Sequence, residues 1–417
     1  MKKKHIAILH YSAPPVIGGV EAVIQAQAKV LLKNGYAVHV IAGRGDSSAL
    51  PDSCAGTFLP LIDSQQEDIL QASQTLEQGH LPHNFESLVQ QIKNLLIPVL
   101  KEIDHLIVHN IFSKHFNLPL TAALTQLIQE GKAPPVIAWT HDLTWTSPNS
   151  RSKVHQGYPW DLLRQFHQGI TYVTVSEKRQ EELCGLLKIS PERVHIVHNG
   201  VEPYSLLGIS PTGEELSEKL GLLDSDLNIL MPVRVTQAKN IEYALQVLKA
   251  LQDKYQNPRL VVTGPPDPHS SSNIAYFQSL KDQRHALGLE KQMRFIYECG
   301  PDPEQPFTIS DQVVGDLFRI SDVMFMPSHR EGFGMPVLEA GFAGIPVMCS
   351  PVPAAVEIGK ADIVQFDPAQ PPQKTADTLS RLIEDNPLSR FRRRVRLNYT
   401  WQALFTQKIV PLLKEDA

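Results

Sequence analysis

Cysteine is scarce in this chain of 417 residues, and its four occurrences, Cys54, Cys184, Cys299 and Cys349, lie far apart with no CxxC pair. That excludes a disulfide framework and a cysteine-based zinc site, and it fits reduced thiols in a cytosolic protein. Long apolar runs are missing too, since none approaches the ~20 residues that span a bilayer. The opening Met1-Lys2-Lys3-Lys4-His5 has the charge of a secretory leader, but only residues 6–9 are apolar before polar and proline positions begin, so no leader core follows. Positive charge is not in excess: 39 Lys+Arg stand against 44 Asp+Glu, a net charge of −5. Global attraction to nucleic acid or anionic lipid is thereby removed. The expectation is a cytoplasmic protein with no nucleic-acid partner and at most peripheral contact with a membrane. Also absent is GxGxxG. Gly18-Gly19 lacks that spacing, and no acidic residue ends the second apolar run near Ala42-Gly43-Arg44, which argues against a nicotinamide dinucleotide site.

What is present is ordinary globular composition, 42% hydrophobic and 20% charged, in a chain longer than the ~250–300 residues at which single cores stop growing. Short apolar runs alternate with helical patterns. Residues 5–10, 37–42, 106–109, 136–139, 172–175 and 195–197 read as buried strands. A helix begins at about Gly19, with Val20, Ile24, Ala28 and Leu31 on one face, and stops at Asn34-Gly35. Phe85, Leu88, Val89, Ile92, Leu95, Leu96, Val99 and Leu100 recur at helical spacing, whereas the Gln-rich stretch 63–80 reads as surface elaboration. After Asn199-Gly200-Val201-Glu202-Pro203 the pattern lapses and restarts, with strands at 229–233, 260–263, 323–326, 346–349 and 363–366 and helices at 241–255, 274–287, 311–320 and 335–343. The expected fold class is α/β, two doubly wound parallel sheets in domains 1–205 and 206–397, joined somewhere in 200–212. Such sheets bind ligands at the carboxyl ends of their strands, which places a ligand between the domains.

The segment richest in chemistry is Ser328-His329-Arg330-Glu331-Gly332-Phe333-Gly334-Met335-Pro336-Val337-Leu338-Glu339-Ala340, which follows a buried strand and opens a helix. Glycines allow a ligand close to the backbone, and a helix N-terminus with unpaired N–H groups suits a diphosphate. Carboxylates at Glu331 and Glu339 can each accept two hydrogen bonds from vicinal hydroxyls. Gly18-Gly19 turns out of the first strand where a side chain would obstruct a phosphate or sugar. Arg234 and Lys239 follow the strand at 229–233, where two cations can neutralise a departing diphosphate. His141 follows the strand at 136–139. Asp224-Ser225-Asp226 has the DxD form of a metal site but precedes its strand, and His195 and His198 fall on opposite faces, so no metal is expected. Trp145, Tyr158 and Trp160 are open to two readings, sugar stacking or packing. Arg390-Phe391-Arg392-Arg393-Arg394-Val395-Arg396 reads as a solvated helix face.

The pair of glutamates with seven residues between them resembles the signature of the large retaining glycosyltransferase family usually numbered four. Gly18-Gly19-Val20-Glu21, His141, Val175-Ser176, Asn199-Gly200-Val201, Arg234 with Lys239-Asn240, and Gly264 stand in the order of that family's landmarks, over nearly the whole chain. Where the family usually has Gly-Arg, this chain has Val233-Arg234. The resemblance implies a GT-B fold, two Rossmann-like domains facing each other across a cleft, with a last helix at about 398–417 returning to the N-terminal domain. It implies transfer of a hexose of the glucose or mannose class from a UDP- or GDP-sugar to an acceptor sugar or small hydroxyl compound, with retention and with neither metal nor other cofactor. Gly18, Gly19, Arg234, Lys239 and the backbone of Phe333, Gly334 and Met335 would hold the diphosphate. Glu339 would hold the ribose, Glu331 with His141 the hexose, and the backbone near 297–300 the base. The rivals are a nucleotide-sugar epimerase and a silent sugar-binding protein.

Overall fold

A computed structural model describes residues 3–266, 271–302 and 305–414, which divide into two compact units: 1–201 with 401–417, and 202–400. In the N-terminal unit seven parallel strands run β1 (His5–Ser12), β2 (Ala37–Arg44), β3 (Ala55–Phe58), β4 (His105–His109), β5 (Val136–Thr140), β6 (Ile170–Thr174) and β7 (Val194–Ile196). Their spatial order is β3-β2-β1-β4-β5-β6-β7. In the C-terminal unit β8 (Leu227–Met231), β9 (Pro258–Val262), β10 (Met293–Phe295), β11 (Val323–Met326), β12 (Val347–Cys349) and β13 (Val364–Gln365) are ordered β10-β9-β8-β11-β12-β13. In both sheets the order reverses beside the first strand, the switch point where doubly wound folds bind ligands.

The apolar runs explain the layers. Side chains alternate across a strand, so Ile6 and Ile8 pack with Ile24, Ala28 and Leu31 on one face of the sheet. Ala7 and Leu9 join Val89, Ile92 and Leu124 on the other. In the second sheet Ile229 and Met231 pack with Leu245 and Leu248, while Leu230 faces Leu317 and Val337. A sheet covered on both faces has no polar alternation, which is why its strands read as continuous apolar runs.

Four elements depart from the expectation. Residues 63–80 are not simply surface elaboration: they contain the helix Glu67–Glu77, which buries Ile69, Ala72 and Leu76. An apolar residue every third or fourth position is enough for one helical stripe even in a Gln-rich stretch. The short strands β3 and β10 fall where no strand was expected. The arginine run, on the helix Pro387–Asn398, is only partly solvated: Arg390 and Arg394 are exposed, but Arg396 is buried and makes two 2.7 Å bonds to Asp322. The helical turns Trp401–Leu404, Phe405–Ile409 and Val410–Leu412 belong to the N-terminal unit, where Trp401, Phe405, Ile409 and Leu412 pack with Ile24, Leu31 and Val197. Residues 415–417 of the expected last helix lie outside the described residues. No helix among the described residues is long and apolar enough to cross a membrane.

Candidate active site

In the C-terminal unit the carboxyl ends of β8 and β11 bring together residues distant in sequence. The loop after β8 carries Arg234, exposed and without a hydrogen-bond or ion-pair partner among the described residues, and Lys239. Asn240, left-handed at φ 52°, closes this loop and donates from Nδ2 to the Pro327 carbonyl at 3.2 Å. His329 N donates to the Ala238 carbonyl at 2.8 Å. The two loops are thus stitched together by backbone acceptors, and Lys239 Nζ reaches Glu331 Oε1 at 2.7 Å. Ser328 donates its hydroxyl to the same oxygen at 2.7 Å, and Ser350 in turn donates to the Ser328 carbonyl. Glu331 is largely buried, its side chain 7% exposed. One carboxylate oxygen is committed to these partners, while Oε2 has none among the described residues and can accept a ligand hydroxyl.

Beyond Glu331 the loop opens: Phe333 and Met335 are more than half exposed, and Gly334 has φ 88° immediately before the helix Met335–Ala343. A side chain at that φ costs roughly 1–2 kcal/mol, so glycine is what lets the chain turn into this helix, where Pro336 has no N–H and that of Val337 donates to the Gly334 carbonyl at 2.9 Å. Glu339 is exposed on the same helix, on the wall of a groove of about 1170 Å³ with Val314, Phe318, Leu338 and Phe342. It makes no hydrogen bond or ion pair with Lys239 or Glu331; the two glutamates are separate sites within one segment. Three carbonyls of the 297–300 backbone are already engaged. The Tyr297 carbonyl accepts from Phe307 N at 3.1 Å, and those of Cys299 and Gly300 accept from Lys219 Nζ at 2.9 and 2.7 Å. Asp226 in Asp224-Ser225-Asp226 accepts from the backbone N–H groups of Gln256 and Asn257 at 2.6 and 3.0 Å, the work of a turn.

In the N-terminal unit, Gly18 precedes the helix Gly19–Lys33, and a Cβ there would collide with the carboxylate of Glu21, which folds back over it. That carboxylate is buried and accepts from Ser12 Oγ at 2.5 Å. Gly19 faces open space, leaving room for a ligand group. His141 is held by two neighbouring residues at the end of β4 that sequence reasoning passed over. Asn110, left-handed at φ 60°, accepts from the backbone N of His141 at 2.9 Å, and His109 Nδ1 lies 2.9 Å from His141 Nε2. The signal was present in two forms, a polar His-Asn pair ending an apolar strand and a glutamine, Gln27, on the apolar face of the first helix. Trp145 and Trp160 are buried, and the Trp145 ring is approached by the guanidinium groups of Arg164 and Arg151 at 4.3 and 5.0 Å, so packing accounts for both. Tyr158 is half-exposed and donates to Glu86.

Burial lowers the pKa of His10, drives that of His109 well below the ordinary histidine value, and takes that of His141 down to about 4; each of His109 and His141 is also disfavoured as a cation by a neighbouring imidazole. All three rings are neutral near pH 7. Between pH about 6.5 and about 4 the unfolded chain takes up protons on these histidines that the folded chain refuses, so stability falls as pH falls through that window. For His141, with its pKa near 4, the loss by pH 5 should be on the order of 2 kcal/mol, and His10 and His109 shift stability in the same direction. Urea midpoints at pH 7.5 and pH 5 test this, and equal midpoints would show that the rings protonate freely in the folded protein.

Two family models between them match nearly all of the chain: the one described as Glycosyltransferase Family 4 over residues 17–204, and the one described as Glycosyl transferases group 1 over residues 213–399. The chain belongs to the group 1 glycosyltransferases. Its fold is GT-B, each unit a Rossmann-like parallel sheet. Among relatives of this glycosyltransferase, an uncharacterized glycosyltransferase of Methanocaldococcus jannaschii is 27% identical over 200 residues, 47% of this chain and 46% of that protein. A D-inositol 3-phosphate glycosyltransferase of Corynebacterium glutamicum is 28% identical over 217 residues, 50% of this chain and 48% of that one. The chain spans about half the length of these curated relatives. A crystal structure of Anabaena HepE with UDP and glucose aligns over 98% of this chain and 99% of that one at 17% identity, with a TM-score of 0.34. The family assignment rests on the two models rather than on that alignment.

Proposed function

We propose that this glycosyltransferase moves a hexose of the glucose or mannose class from a UDP- or GDP-sugar to a hydroxyl of an acceptor sugar or small compound, with retention and without a metal ion. The observation that carries the reading is the set at the ends of β8 and β11. It combines an uncommitted guanidinium at Arg234, a Lys239 ammonium, a Glu331 carboxylate with one free oxygen, and a glycine-opened helix N-terminus at Gly334. Cations and helix N–H groups suit a diphosphate, and a half-engaged carboxylate suits sugar hydroxyls. Arg234, Lys239 and the backbone of Phe333, Gly334 and Met335 take the diphosphate, Glu331 the hexose, and Glu339 the ribose. Within the N-terminal unit, Gly18 and Gly19 are assigned to diphosphate binding and His141 to hexose binding.

In the step itself the bond from the anomeric carbon to the diphosphate oxygen breaks, and its electron pair stays with the diphosphate. The acceptor oxygen bonds to the same face of that carbon and gives its proton to the departing phosphate oxygen. The protein holds charge and geometry and supplies no base of its own. The test is proton NMR of the fresh product made in EDTA from an α-linked donor. An α-linked product at undiminished rate is expected. A β-linked product would overturn the stereochemical reading, and a magnesium-reversible loss in EDTA would overturn the metal-free one.

A further inference from the structure

Three imidazoles gather at the carboxyl ends of the adjacent strands β1, β4 and β5, and with the Gln27 amide oxygen turned toward them their bonds admit one arrangement of protons. His10 Nδ1 lies 3.0 Å from the carbonyl oxygen of His109; a carbonyl only accepts, so His10 is protonated on Nδ1. Gln27, fully buried on the helix Gly19–Lys33, places Oε1 3.0 Å from His109 Nε2. That oxygen also only accepts, so His109 donates from Nε2. A neutral imidazole has a single N–H, which leaves His109 Nδ1 as a lone pair. His141 Nε2 sits 2.9 Å from that lone pair, and the bond requires the proton of His141 to be on Nε2. The two rings meet edge to edge along this bond, with centroids 5.2 Å apart and planes 27° from parallel, and His109 in turn packs on the buried ring of Trp139. His141 Nδ1 is then an unprotonated acceptor with no partner among the described residues.

We propose that His109, anchored by Gln27, is a positioning residue that holds His141 as its Nε2–H tautomer and presents the Nδ1 lone pair to a hydroxyl of the transferred sugar. The inference rests on the reading of His141 as a donor-sugar residue. The tautomer matters because it sets the direction of the imidazole dipole. With the proton on Nε2, the negative end faces a sugar whose anomeric carbon is gaining positive charge. With the proton on Nδ1, the positive end would face it. A neutral ring of fixed tautomer can do this without becoming a base, and the hydrophobic burial of the cluster keeps it neutral.

Nitrogen-15 NMR of histidine-labelled protein reads the tautomer directly, with the His141 signal assigned by its loss in His141→Asn. The wild-type enzyme should show the protonated-nitrogen shift at Nε2 and the bare-nitrogen shift at Nδ1. In His109→Leu both tautomers should appear, with kcat down roughly 10–100-fold, the scale of a small misplacement in an active site. Donor KM should change less than about threefold, since the ring's contribution is made in the transition state. His109→Asn, whose Oδ1 can stand where Nδ1 stood, should recover most of kcat. Gln27→Met removes only the anchor and should loosen the tautomer in the same sense, which keeps the test open if His109→Leu does not fold. A wild-type proton on Nδ1 would overturn the proposal, as would a folded His109→Leu with unchanged tautomer and kcat. If His141→Asn leaves transfer untouched, the sugar role of His141 falls, and the nitrogen shifts alone then decide whether His109 fixes its tautomer.

Discussion

Replacing Arg234 by alanine should lower transfer by roughly 10²–10³-fold, the cost of removing one preorganised donor to developing charge, and should leave the thermal midpoint where it is. The side chain is exposed and bonded to nothing among the described residues, so its removal takes away no packing and no partner. Lys239→Ala should produce a similar loss of transfer, but with a drop in stability. Its ammonium is the ion-pair partner of Glu331, whose side chain is 7% exposed, and without it that carboxylate keeps only the Ser328 hydroxyl. Leaving a partly buried charge short of a partner costs about 1–3 kcal/mol. The contrast is the useful part. Two cations on one loop, predicted to do the same chemistry, should separate cleanly in a melting experiment. Steady-state kinetics and differential scanning fluorimetry on the two variants check it. Wild-type transfer by Arg234→Ala would remove the diphosphate role assigned to this loop.

The second large effect lies away from any substrate. Asp322→Ala should destabilise the C-terminal unit by about 3–5 kcal/mol, the penalty for stranding one half of a buried ion pair. Arg396 is 6% exposed and its guanidinium meets both oxygens of Asp322 at 2.7 Å. Asp322 Oδ2 also accepts from the backbone N of Asn228 at 2.7 Å, so the same substitution unpairs the start of β8. Converting both partners to apolar residues of similar volume should restore much of the loss, because it removes the stranded charge rather than exposing it. Urea titration of the single and double variants measures the difference. A loss under ~1 kcal/mol for Asp322→Ala would place the pair among surface ion pairs instead.

These examples show what could and could not be read from residue order. Strands covered on both faces announce themselves as apolar runs, so β1, β4, β8 and β11 were legible to within a residue or two. The edge strand β3, Ala-Gly-Thr-Phe with no fully buried residue, carries no such signal. Arg234, Lys239 and Glu331 could be picked out because each sits at the end of a legible strand. Their ion pair could not, because it joins loops 92 residues apart. His109 and His141 are 32 residues apart and meet only because β4 and β5 are neighbours in register. Within the arginine run, nothing distinguishes the buried Arg396 from its solvated neighbours, since its partner lies 74 residues earlier.

The return of residues 401–413 to the N-terminal unit has a consequence for how that unit comes into being. Trp401, Phe405, Ile409, Leu412 and Leu413 complete a hydrophobic layer begun by Ile6, Ile24 and Leu31, and Trp401 N closes a bond to the Val201 carbonyl. During synthesis that layer therefore stays unfilled, with one flank of the first sheet open to water, until some two hundred further residues have left the ribosome. The C-terminal unit, being continuous from 202 to 400, has all its parts at hand sooner. A fragment cut after Val201 would carry the same vacancy permanently, so a separately expressed N-terminal half needs the last segment grafted back, by fusion or by addition in trans, before its behaviour says anything about the whole enzyme.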